Sequence, residues 1–321
     1  MFRQSRGRWF VAAGAVVALG LATTPIAVGR TELSGSIVFA SFGRGASTSD
    51  LYAVDASGVR LRQLTNTPDL SEQQPAVTRD GSRLVFRVAD ANLDPSSFEL
   101  YTSTADGEQV TRLTTDAWAE ESPAWTPDGR VIVFSSNRAD ANHDCLLPPC
   151  KLDLYSIRSD GSHERRLTEM EGGAAFFPSV SPDGLTVLFT FLTDAGDSAL
   201  YVVGLDGHGL HQITTLAHEY FHGHWSPDGE RIAFADNGCI TCPSSSIWTM
   251  RVDGTHLVRL TDGGHEGTDY NPQWSPDGAW ITFTREDARQ AQIYRVRSGG
   301  GQETKVTTKG DYNFESVWSP N

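Results

Sequence analysis

The sequence predicts an all-β fold, a six-bladed β-propeller of four-stranded blades, on three observations. A β-branched triplet ending in Phe recurs six times, a Pro-Asp-Gly turn recurs behind a short strand, and successive turn aspartates Asp80, Asp128, Asp183, Asp228 and Asp277 lie 48, 55, 45 and 49 residues apart. That period suits a blade of four short strands and does not suit a solenoid of helix pairs. Hydrophobic residues make up 39% and Gly numbers 31 of 321, which fits a folded chain rich in tight turns rather than a disordered one.

Residues 1 to 29 differ in character from the rest of the chain. Arg3, Arg6 and Arg8 form a basic head, Trp9 to Ala22 is an apolar run, and Ala27-Val28-Gly29 closes a small-residue stretch that would serve as a cleavage site. This layout predicts a signal peptide, with an uncleaved membrane anchor as the competing reading. Either one places residues 30 to 321, a single propeller, in the periplasm or outside the cell.

Each repeat then has four parts. The first strand met is the Phe triplet: Ile37-Val38-Phe39, Leu84-Val85-Phe86, Ile132-Val133-Phe134, Val187-Leu188-Phe189, Ile232-Ala233-Phe234 and Ile281-Thr282-Phe283. Next comes an aliphatic-aromatic pair at Leu51-Tyr52, Leu100-Tyr101, Leu154-Tyr155, Leu200-Tyr201, Ile247-Trp248 and Ile293-Tyr294. Asp-Gly at 106, 160, 206 and 253, replaced by Ser57-Gly58 and Gly299-Gly300 in the outer units, supplies the positive φ of a tight hairpin. The third strand ends in Thr each time, at Thr65, Thr114, Thr168, Thr214, Thr261 and Thr307. The fourth part is the strand entering Pro-Asp-Gly, where Pro presets φ, Asp caps the turn and Gly takes the left-handed position. Period two places the six triplet phenylalanines between blades, with Trp125, Trp225, Trp274 and Trp318 beside them.

The series Trp-Ser-Pro-Asp-Gly, Ile-x-Phe, Leu-Tyr, Asp-Gly, Leu-Thr, a WD-repeat-like pattern, resembles the propeller repeat of TolB-like proteins and covers nearly everything after the leader. The resemblance implies that the Pro-Asp-Gly strand is innermost in each blade, followed outward by the triplet, Leu-Tyr and Leu-Thr strands. The chain opens on a triplet and closes on a lone inner strand, Ser316 to Pro320. The last strand is therefore expected to join the first blade and remove a free sheet edge. Proteins of that family are periplasmic and dock an envelope lipoprotein, and they carry an α/β domain ahead of the propeller. Here only residues 30 to 35 separate leader and first strand, which sets the chain apart from the family's pattern.

The expected partner is accordingly an envelope or secreted protein, bound by a monomeric, non-enzymatic scaffold. Nucleic acid is excluded as a partner by charge, since 26 basic against 40 acidic residues give −14. The alternative is a metal-assisted carbohydrate lyase or hydrolase with its site at the propeller mouth. The sequence carries no nucleophile elbow, phosphate-binding loop or linked Ser/His/Asp signature.

Three groups of residues are candidate sites. His218, His222, His224 and His265 come from neighbouring units and are expected at one mouth of the channel, where neutral imidazoles bind transition metals or meet an acidic sugar. His218-Glu219-Tyr220-Phe221-His222 spells a metalloprotease string, but it leads straight into a strand, whereas that chemistry needs a helix. Asp90, Asn92 and Asp94, and likewise Asp140, Asn142 and Asp144, place oxygen ligands at alternating positions, as calcium loops do. No Gly stands where an EF-hand loop needs one, and solvated hairpin tips are the favoured reading, with Ca2+ binding as the competing one. Cys145 with Cys150, and Cys239 with Cys242, are the only cysteines and are read as two local disulfides, with free thiols or a shared zinc site as competing readings.

Overall fold

Alternation of buried and exposed residues, with turn signals every few residues, produces strands throughout. The computed structural model describes residues 35–43, 46–140, 150–215, 219–237, 244–263, 267–307 and 312–320. Among these are 24 β-strands and one 3-10 turn, Pro95–Ser97. The chain divides into residues 1–32 and a compact unit, Leu33–Asn321, which holds all of these strands.

Four sheets of four strands occupy the middle of the chain in sequence order. Strands β4 (Leu70–Val77), β5 (Arg83–Asp90), β6 (Glu99–Thr104) and β7 (Thr111–Arg112) form the first of these. Strands β8 (Glu120–Trp125), β9 (Val131–Ser136), β10 (Asp153–Arg158) and β11 (Arg165–Arg166) form the second. The third is β12 (Gly173–Val180), β13 (Thr186–Thr193), β14 (Ser198–Gly204) and β15 (His211–Gln212). The fourth is β16 (Tyr220–Trp225), β17 (Arg231–Asp236), β18 (Ser246–Arg251) and β19 (Val258–Arg259).

The remaining strands make one eight-stranded sheet. On one side lie β20 (Thr268–Trp274), β21 (Trp280–Glu286), β22 (Ala291–Arg297) and β23 (Thr304–Lys305). On the other, β1 (Ser36–Phe42), β2 (Ser49–Asp55) and β3 (Leu61–Gln63) are joined by β24 (Tyr312–Ser319), which pairs with β1 in the register Ile37 to Trp318. A single parallel pairing, Ala291 to Tyr312, links the two halves. The strands β4, β8, β12, β16, β20 and β24 touch in succession, and β24 in turn meets β4.

The repeat motifs account for this architecture residue by residue. The six triplet phenylalanines are all at most 1% exposed, and burying each stabilises the fold by about 1.5–3 kcal/mol. The Thr that ends each third strand accepts a hydrogen bond from the backbone N–H of the Leu or Ile in the neighbouring strand. The six distances, from Leu51 to Thr65 through Ile293 to Thr307, run from 2.8 to 3.0 Å. In the Asp-Gly turns after these strands, Thr78, Thr126 and Ser181 donate their hydroxyls to the turn aspartates Asp80, Asp128 and Asp183 at 2.6–2.7 Å. Trp125 and Trp274 tie neighbouring sheets together, each donating Nε1–H to the inner strand of the preceding sheet, at Ala76 O and His224 O. Trp225 departs from the expected burial: it is half-buried and its Nε1 has no protein partner.

Candidate functional site

The strands β4, β8, β12, β16, β20 and β24, here called the inner strands, together line one cavity of about 190 Å³. What aims side chains into it is a β-bulge that recurs in every inner strand. In β8, pairing with β9 jumps from Glu121–Ser135 to Ala124–Val133, so Ser122 and Pro123 face Phe134 alone. The same two-against-one count sets Gln74-Pro75 against Phe86, Phe177-Pro178 against Phe189 and His222-Gly223 against Phe234. Asn271-Pro272 stands against Phe283 and Glu315-Ser316 against Phe39. Four of the six bulges use Pro as the second residue, which suits a position where no ladder N–H is required.

The first residue of each bulge is held at left-handed φ: Gln74 53°, Ser122 54°, Phe177 53°, His222 53°, Asn271 54° and Glu315 52°. Asn and His adopt that region more readily than most residues, so Gln74, Ser122, Phe177 and Glu315 store strain of order 1–3 kcal/mol each. These six residues form a ring around the cavity, one from each inner strand. The ring is also sewn together. Ser122 N–H donates to Gln74 Oε1, and Gln74 N–H donates to Glu315 Oε2, both at 2.6 Å.

The two sides of the ring carry different ionisable groups. Burial pushes the carboxyls of Glu315 and Glu121 above the usual range, opposed by the nearby Arg87 guanidinium. Arg87 Nη1 lies 3.6 Å from Glu121 Oε2, and its Nη2 donates to Gln73 Oε1. On the other side, burial lowers His222 to about 3, helped by the neighbouring His224, and lowers His224 to about 4. Both imidazoles are therefore neutral near pH 7. His224 Nε2 lies 2.6 Å from Gln273 Nε2 and, being neutral, accepts from that amide. The His222 ring sits against Phe177 at a centroid distance of 3.9 Å and near Tyr270 at 6.0 Å, and its Nδ1 has no protein partner.

Of the histidines singled out from the sequence, His222 and His224 meet in this cavity, inside the ring rather than on a surface loop, while His218 and His265 lie outside the described residues. The described part of the metalloprotease-like string, Glu219 to His222, contains strand β16 and no helix. In the first acidic loop, Asp90 Oδ1 accepts the backbone N–H groups of Asn92 and Asp94 at 3.0 Å, and Asp94 caps the short 3-10 turn through Ser96 N–H. These are the bonds of a hairpin tip. In the second loop Asp140 accepts from Lys151 N–H, and Asn142 and Asp144 lie outside the described residues. Among the described residues no three His, Cys, Asp or Glu side chains gather as a metal site. Cys150 is buried and disulfide-bonded, and Cys145, Cys239 and Cys242 lie outside the described residues.

The ring itself was not singled out from the sequence, although a signal for it existed. It is the position three residues before the inner-strand Trp or Val, and it reads Gln, Ser, Phe, His, Asn and Glu inside the most constant stretch of the repeat.

Comparisons with known proteins agree with this geometry. Residues 240–321 match the TolB beta propeller domain. An uncharacterized protein of Agrobacterium fabrum, Atu1656, is 30% identical over 187 residues, 58% of this chain and 58% of that protein. Dipeptidyl-peptidase 5 of Porphyromonas gingivalis is 25% identical over 304 residues, which span 76% of this chain and 42% of the peptidase. The chain thus spans about half the length of these curated relatives. The crystal structure of TolB from Acinetobacter baumannii superposes with a TM-score of 0.73 at 16% identity, over 89% of this chain and 67% of that one.

Proposed function

We propose that this TolB-like β-propeller has six blades and acts as a protein-binding scaffold in the cell envelope, without catalysis of its own. The six-blade count reads the eight-stranded sheet as two blades linked by one bridge, with β24 completing the blade of β1, β2 and β3. Residues 1–29 act as the export leader and residues 30–321 as one propeller in the periplasm or outside the cell, with Cys145–Cys150 and Cys239–Cys242 as loop staples.

The observation that carries the reading is the ring: a constant scaffold that holds six unlike side chains at one strained backbone position, all facing the axis. Strained, variable positions on a rigid frame are where recognition resides. Similarity to TolB supplies the kind of partner, an envelope protein. In this reading the partner sits on the face that carries the loops between the triplet strands and the Leu-Tyr strands, over the channel mouth.

Metal-assisted cleavage of a glycan is the second reading, and the neutral imidazoles of His222 and His224 are what favour it. The test is photo-cross-linking of the full-length protein in envelopes of its source organism. The photoreactive residue replaces Asn92 on the proposed docking face or, as a control, Ser162 in the Asp-Gly turn between the Leu-Tyr strand β10 and the Leu-Thr strand β11. One reproducible protein cross-linked from position 92 only, and still captured after His222→Ala plus His265→Ala, is the expected result. Equal capture from both positions, or metal-dependent turnover of an acidic glycan that the double variant abolishes, would overturn the scaffold reading.

A further inference from the structure

The axial cavity is chemically lopsided. Glu315 brings a buried carboxyl to its wall, and the Arg87 guanidinium that opposes its burial also lies 3.6 Å from a second buried carboxyl, Glu121, which does not line the cavity. The histidines that complete the wall contribute no compensating charge. In the order of the inner strands Phe177 stands three places from Glu315, and it forms an aromatic face together with the His222 ring 3.9 Å away. Between these two regions stands Ser122, only 8% exposed, which lines the cavity and whose Oγ has no protein partner. A buried hydroxyl of this kind lacks the hydrogen bond that nearly all such groups make.

The size and the donor set narrow the ligand. A cavity of about 190 Å³ has room for roughly six waters at their ~30 Å³ share, which suits a small organic molecule better than one ion. Among the described residues the cavity offers no three-ligand metal set. An ammonium group needs less: one carboxylate, one hydroxyl lone pair, and an aromatic face for the carbon body beside it.

We propose that the axial cavity binds a small organic monocation, an ammonium on a compact aromatic or apolar body, with the cation between Glu315 and Ser122 and the body against Phe177 and His222. This site is built from the same ring that carries the scaffold reading, but its occupancy is tested without any protein partner, so the two readings fail separately. A bound cation favours the ionised form of Glu315, which burial alone disfavours.

The test is isothermal titration of the full-length protein at pH 7.5 with phenethylammonium chloride, its uncharged isostere 2-phenylethanol, and calcium chloride. Phenethylammonium is expected to bind saturably at one site, and 2-phenylethanol at least about tenfold more weakly, since the charge-assisted contact is lost. Glu315→Gln keeps an acceptor for Gln74 N–H and should weaken phenethylammonium about tenfold. Ser122→Ala removes a hydroxyl with no protein partner, so it leaves the fold intact and should weaken binding about threefold. Absence of saturable binding to the folded wild-type protein would overturn the proposal. So would equal binding of the alcohol, undiminished binding by Glu315→Gln, or competitive displacement of the amine by calcium.

Discussion

At the scale of single residues, the constant letters of the repeat are hydrogen-bonding devices. Thr168 shows the pattern: its Oγ1 accepts Leu154 N–H at 2.9 Å and donates to the buried Asp153 at 3.0 Å. Thr168→Val keeps the shape but strands Leu154 N–H, while Asp153 keeps Met170 N–H and Arg166, so unfolding in urea should show a loss of about 1–3 kcal/mol. A change below about 0.5 kcal/mol, the low end of a net hydrogen bond, would mean that water replaces the hydroxyl. The two cavity histidines act on stability through protons. Their folded values, about 3 and about 4, lie below the ordinary 6.5. The unfolded chain therefore binds more protons between these limits, and stability is present above pH 6.5 and lost as pH falls toward 3. The raised carboxyls of Glu121 and Glu315 act in the opposite sense and favour the folded state on acidification. Thermal melts of wild type from pH 7 to pH 4 should fall more steeply than those of His222→Phe plus His224→Gln, and parallel slopes would show that other groups dominate.

At the scale of elements, the outermost strands and the last strand carry the risk of edge pairing. The six outer strands are two or three residues long, and five contain a basic residue: Arg62, Arg112, Arg166, Arg259 and Lys305. Short, charged edges resist pairing with another molecule. Two of these cations also bind inward, Arg112 to Glu99 and Arg166 to Asp153. β1 has no such protection of its own, because its edge is covered only by β24. Truncation after Lys305 should expose that edge and yield a protein that aggregates, with its melting transition broadened or lowered, as read by light scattering and calorimetry. A monomeric truncation with the wild-type transition would show that β24 contributes little.

At the scale of the whole molecule, the architecture was largely legible because its signals are local and repeated. A triplet ending in Phe, a Pro-Asp-Gly turn and a terminal Thr each act within a few residues of themselves, and six copies average out the exceptions. The cavity was less legible. Period two places Phe134 correctly, but it cannot reveal that Ser122 and Pro123 both oppose it, because a bulge breaks the very alternation on which the reading relies. For the same reason the histidines were placed at a loop mouth, whereas His222 occupies a bulge and His224 comes just after it inside the ring. The histidine string misleads in another way: identical letters have a different meaning on a strand, where His222 and Glu219 do not share a helical face.

The recurring bulge also bears on how such a molecule diversifies. Because the backbone distortion belongs to the frame and is repeated in every blade, a substitution at Gln74, Ser122, Phe177, His222, Asn271 or Glu315 inherits its awkward geometry and does not have to create it. Each copy of the repeat thus brings one replaceable tooth to a common keyhole, and a lineage can recut the key one tooth at a time while the lock body stays as it was.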